Sequence, residues 1–160
     1  MHDPLRKQLK HLLKGRGAHL PFEEVVRDLP ESLRGKQADG LPHTAWELVE
    51  HMRIAQADIL RYCRKANYVA PEWPDDYWPD SEAPPSSDAW HESIDAFALD
   101  LKALVSMATD PEIDLHGTVP SSDKHTVLRE LLIVADHNAY HAGQLVYLRR
   151  LLGSWPPADS

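Results

Sequence analysis

Cysteine is almost absent from this chain, whose 160 residues include a single one, Cys63. One cysteine excludes an intrachain disulfide. Together with the lack of a secretory signal, this predicts a protein of the reducing cytoplasm. Long apolar runs are also missing, since none approaches the roughly 18 residues that a membrane-spanning helix needs, and we therefore expect no association with a membrane.

Positive charge is scarce as well, with 17 Lys and Arg against 25 Asp and Glu and a formal net charge of −8. Binding to nucleic acid requires clustered basic side chains, so we expect no nucleic-acid partner. The length and the hydrophobic fraction of 42% are typical of a globular protein with one core. We expect residues 1–160 to form a single domain.

Helical periodicity dominates the chain, and no segment has the alternation of a strand. Four long helices are predicted over residues 3–15, 44–66, 87–108 and 126–152. A shorter helix is predicted over 22–29, and residues 31–42 are expected to be a loop. The apolar seam of the last helix follows alternate steps of four and three residues, which is the pattern that an antiparallel bundle needs. The sequence therefore predicts an all-α protein.

The segment 67–87 separates the second and third long helices and is rich in proline and aromatic residues. Regular structure is not expected there, because proline removes a backbone donor and fixes φ. We expect Trp73, Tyr77 and Trp78 to pack onto the bundle. Two interpretations remain open: a structural connection between antiparallel helices, or a wall or lid over a pocket.

Ten histidines are present, and three of them lie on faces that should point inward. His137 and His141 are four residues apart, so both imidazoles project from one face of the fourth helix. His51 lies at the inner edge of the second helix. Since sites in helical bundles are built from facing helices, we expect these histidines to bind one divalent transition metal, with a coordination position left open. The alternative is that they only pack in the core.

Two further residues share the face of the histidine pair. Gln144 follows His141 by three positions, and Glu130 precedes His137 by seven. Either side chain is a candidate to orient an imidazole or a bound water. Cys63 lies about three turns beyond His51 and is not expected to be a ligand.

The sequence resembles the DinB-like superfamily. The resemblance is carried by LPHTAWELVEH at 41–51, ADHNAYHAGQL at 135–145 and RRLLG at 149–153. These match a pattern of one histidine on the second helix, then His-x-x-x-His followed by Gly-Gln, and an Arg-Arg-Leu-Leu-Gly ending. The resemblance covers nearly the whole chain. It implies a DinB-like antiparallel four-helix bundle, with the Trp- and Pro-rich loop between its second and third helices and a metal site at His51, His137 and His141, commonly in a homodimer.

The resemblance also bears on activity. Some relatives are metal-dependent transferases or isomerases that use low-molecular-weight thiols such as bacillithiol or mycothiol. We therefore predict a zinc- or nickel-dependent enzyme that activates such a thiol against a small-molecule substrate, or a related hydrolase that activates water at the same site. The alternative is a non-catalytic metal-binding bundle with a role in stress response or partner binding.

Overall fold

The structure is a computed structural model that describes residues 3–157. This part of the chain forms six α-helices and no strand: α1 (Pro4–Leu13), α2 (Phe22–Val26), α3 (Glu31–Arg34), α4 (Ala45–Arg64), α5 (Ser87–Thr109) and α6 (Val127–Leu151). The predicted all-α class is confirmed. None of the described helices combines the length and the apolar character that crossing a bilayer requires.

Helix α4 packs against both α5 and α6, and these two helices also contact each other. Helix α1 packs on α5 and α6, and the short α2 packs on α6. The inner seam of α6 is buried from Val127 to Leu148, as the sequence predicts. Its buried members are Val127, Leu131, Val134, Asn138, His141, Leu145 and Leu148. The polar members Asn138 and His141 interrupt an otherwise apolar seam, and this is where the candidate site lies.

The start of α4 is fixed by a capping box at Thr44 and Glu47. The Thr44 hydroxyl accepts from the Glu47 amide at 3.2 Å, and the Glu47 carboxylate accepts from the Thr44 amide at 2.7 Å. The same hydroxyl donates to the carbonyl of Glu82 at 2.6 Å. The Thr44 hydroxyl thus takes part in the capping box and also ties the start of the helix to the segment that precedes α5.

Two expectations about the short elements are wrong. Residues 31–42, expected to be a loop, contain α3, whose Arg34 guanidinium lies 5.1 Å from the ring of Trp90. Four helical residues are too few to show a period, and packing rather than pattern stabilises them. The predicted helix over 22–29 ends at Val26, because Arg27 has an extended backbone and Asp28 a positive φ of 55°.

Residues 65–86 connect α4 to α5 and include one 3-10 turn, Asp75–Tyr77. Tyr77 and Trp78 are partly buried, as expected. Trp73 lies against the bundle but stays 68% exposed, so it packs less closely than expected. Its ring centroid is 5.2 Å from that of Tyr77 and 6.5 Å from that of His51.

Candidate metal centre

The structure brings together the three histidines that the sequence singles out. Helix α4 supplies His51, and α6 supplies His137 and His141 one turn apart. The Nε2 atoms of His51 and His137 are 3.1 Å apart. One ring nitrogen from each histidine lies within 4.8 Å of the others. We refer to this group below as the histidine triad.

Hydrogen bonds fix the tautomer of two imidazoles in the triad. Nδ1 of His51 donates to the backbone carbonyl of Tyr77 at 2.9 Å. Nδ1 of His141 donates to Oε1 of Gln144 at 2.7 Å. Because these oxygens only accept, each Nδ1 carries the proton and each neutral ring keeps its lone pair on Nε2, the nitrogen free to bind a metal. Such hydrogen bonds on the far nitrogen are the usual support of metal-binding histidines.

Burial keeps the triad uncharged. The side chains of His51 and His141 are only 2% and 7% exposed. Desolvation lowers the pKa of both, against the opposing effect of the hydrogen bonds that they donate to Tyr77 and Gln144. Desolvation and then the nearby charges of His141 and His51 lower the pKa of His137 to about 4. All three imidazoles are therefore neutral at pH 7, which is the form that metal ions bind.

The donor set fits one divalent transition metal. Two imidazole nitrogens that bind a tetrahedral zinc ion at 2.0–2.1 Å lie roughly 3.3 Å apart, close to the 3.1 Å between His51 and His137. In the described part of the chain, no carboxylate or thiol joins the triad. Three protein ligands leave a coordination position open, which is the arrangement of catalytic rather than structural zinc sites.

Trp78 forms a wall beside the triad. Its ring stacks on His51 with centroids 4.0 Å apart and planes within 4°, and His43 stacks on Trp78 at 3.9 Å and 16°. The Tyr77 hydroxyl donates to Asp58 at 2.8 Å, which anchors the turn that carries Trp78. This geometry favours the interpretation of segment 67–87 as a wall. His43 is not among the site residues predicted from the sequence, and its distance of about two helical turns from His51 is the signal that could have identified it.

Glu130 does not orient the triad, contrary to our expectation. Its carboxylate is buried, pairs with Arg129 and lies 3.8 Å from Nδ1 of His125. Seven residues of helix place Glu130 on the face of His137 but about 10 Å away along the axis, too far for contact.

Cys63 is likewise not part of the triad, as expected. Burial, with the charge of Glu130 adding to it, raises the pKa of this thiol to about 12. The protein's own thiol therefore stays protonated and unreactive at neutral pH.

Fold and site together define a helical bundle with a three-histidine group suited to a metal ion. A family model for the DinB superfamily matches residues 21–145, which include the whole triad and Gln144. The chain therefore belongs to the DinB superfamily. Searches of the curated proteins and of the solved structures found no match.

Proposed function

We propose that His51, His137 and His141 hold one divalent transition metal, zinc or nickel, and that the protein is a metal-dependent enzyme. It activates a low-molecular-weight thiol for transfer to a small electrophile. The observation that carries the proposal is the convergence of three neutral imidazoles. In two of them, His51 and His141, a hydrogen bond from Nδ1 leaves the lone pair on Nε2, the nitrogen that binds the metal.

When bound, a metal of this kind lowers the pKa of a thiol or water at its open position. The chain's own residues prepare the site for this. Tyr77 and Gln144 orient two of the imidazoles, and Trp78 shields one face of His51 from water. In the transfer, the thiol gives up its proton and a sulfur–carbon bond forms as the bond from that carbon to the leaving group breaks.

The buried cysteine supports an external thiol as the nucleophile. Cys63 has a strongly raised pKa and no place in the triad, so the chain offers no thiolate of its own. Small thiols remain reduced in the cytoplasm, and we propose that the protein acts there. We also propose a homodimer, which the large hydrophobic side chains exposed on the described helices support.

Turnover of an electrophile by the zinc-loaded protein tests this proposal. The assay uses 1-chloro-2,4-dinitrobenzene with bacillithiol, mycothiol or cysteine and follows the rate above the uncatalysed reaction. We expect thiol-dependent turnover that is lost in His137→Ala. The matched control, His91→Ala, removes an exposed histidine of α5 and should retain it.

Other outcomes lead to other functions. Zinc-loaded protein that is inactive with every thiol but hydrolyses p-nitrophenyl acetate, with the activity lost in His137→Ala, would replace the transferase by a hydrolase. Stoichiometric zinc without either activity would leave the non-catalytic metal-binding bundle.

A further inference from the structure

A groove opens on the surface directly beside the triad. Its volume is about 330 Å³. Leu41 and Leu48 line one side, and Tyr140 and Tyr147 of α6 line the other. Pockets for small ligands begin at roughly 300 Å³, so this groove has the size of a small-molecule site.

Three residues of the groove lining connect it to the triad, two by direct contact and one through the ring of Trp78. Gln144 lines the groove and accepts the hydrogen bond from His141. Tyr140 lies edge-on to the ring of His141, with centroids 5.0 Å apart. His43, also in the lining, reaches His51 through the Trp78 ring stacked between them. A molecule in the groove therefore contacts the residues that touch His141, although none of the three histidines lines the groove itself.

The chemistry of the lining defines what the groove accepts. Among the described residues that line it there is no Lys, Arg, Asp or Glu, and its polar groups are side-chain tips such as those of His43 and Gln144. Tyr140 and Tyr147 are 65% and 64% exposed and offer flat aromatic surface. Such walls favour an uncharged ring, which stacks or packs edge-on against them. A cavity of about 150 Å³ holds benzene, so this groove has room for one or two rings.

We propose that this groove binds an uncharged aromatic group of the substrate and so places the reacting end of the substrate at the triad. This inference rests on the metal-dependent function proposed above and narrows its substrate to aromatic compounds. Tyr140 and Tyr147 are then the residues that position the substrate. Their rings are exposed, and the chain does not need them to fold.

Gly143 provides a way to close the groove without disturbing the core. It lies in the groove lining, and a Cβ built on it meets no atom within 4 Å. Leucine has a higher helix propensity than glycine, so Gly143→Leu should fold at least as well as the native chain while its side chain occupies the groove. Gly143→Ala is the matched control, because a single methyl group leaves most of the groove open.

The test compares two zinc-binding probes that share one head group. Acetohydroxamate carries a methyl group and benzohydroxamate a phenyl ring, and their dissociation constants with the zinc-loaded protein are measured by calorimetry. We expect benzohydroxamate to bind at least tenfold more tightly. That ratio should fall to about one in Gly143→Leu, persist in Gly143→Ala and shrink in Tyr147→Ala, while acetohydroxamate binds all four proteins alike.

The outcomes separate the two proposals. Equal binding of the two hydroxamates to the native protein would overturn the groove inference and leave the metal site standing. Binding of neither would overturn both. An oligomer that dissociates in Gly143→Leu, seen by sedimentation, together with no phenyl advantage in the native protein, would assign the groove to a second copy of the chain instead.

Discussion

Among single residues, Gln144 makes the hydrogen bond that most directly prepares a metal ligand. Its Oε1 accepts from Nδ1 of His141 at 2.7 Å. Gln144→Leu removes the acceptor, and we expect zinc affinity to fall tenfold to a hundredfold, the usual effect of losing such a partner. Gln144→Glu keeps an acceptor and should retain the affinity. Competition with a chromophoric chelator measures both, and native affinity in the leucine variant would exclude this role.

The lowered pKa of His137 makes the stability of the metal-free protein depend on pH. Its folded-state pKa is about 4 against an ordinary value of 6.5. Between these values the unfolded chain binds a proton that the folded chain does not. The free energy of unfolding should therefore fall as the pH drops from about 6.5 toward 4, and His51 and His141 shift in the same direction.

Urea denaturation of metal-free protein at pH 7, 6 and 5 measures this dependence. His137→Gln removes the largest shift, so its stability should decline less steeply over the same range. An equal decline in the variant and the native protein would contradict the assignment of His137 as a partly buried, neutral imidazole.

Spacing along a helix made much of the candidate site predictable. His141 lies four positions after His137, and Gln144 three positions further, so the three share one face, and the structure places all three side chains around the same point. The Glu130 prediction failed because a shared face does not bring two side chains together when seven residues, about 10 Å along the axis, separate them. The Tyr77 carbonyl and the Trp78 stack were not predictable, since they come from an irregular segment that no period describes.

At the scale of whole helices, the N-terminal caps explain why the first residues of α4 and α6 were predictable. Thr44 precedes α4 and Thr126 precedes α6, and each hydroxyl accepts from the amide three residues later. The Thr44 hydroxyl also donates to the Glu82 carbonyl, and this second hydrogen bond has no counterpart at Thr126 among the described residues. The weakly predicted elements are short: α3 has four residues, and its stability depends on contacts such as that between Arg34 and Trp90.

This difference between the two caps gives a prediction for helix α4. Thr126→Ala should lower the free energy of unfolding by about 1 kcal/mol, the typical cost of a lost cap. Thr44→Ala should cost about 2 kcal/mol, because the Glu82 carbonyl also loses its donor. Thr44→Ser keeps both bonds and should restore most of the loss. Chemical denaturation measures all three, and equal costs for the two alanine variants would show that the bond to Glu82 contributes nothing.

At the scale of the whole molecule, the proposed homodimer is open to direct measurement. Large apolar side chains on three different helices are at least 40% exposed, including Leu12, Leu99 and Leu132. Burying such surface against a second copy is the usual way that symmetric dimers form. Sedimentation equilibrium at micromolar concentration should give about twice the chain mass of 18.1 kDa. A single species at the chain mass would remove the dimer from the account.

The central claim is that the molecule holds one metal ion at His51, His137 and His141. The most direct measurement is metal content by mass spectrometry on protein purified without a histidine tag, beside the variant in which all three are alanine. We predict about one zinc or nickel ion per chain in the native protein and none in the variant. A native protein that holds no metal, even after incubation with zinc and nickel, would contradict the account and leave the triad as packing within a helical bundle.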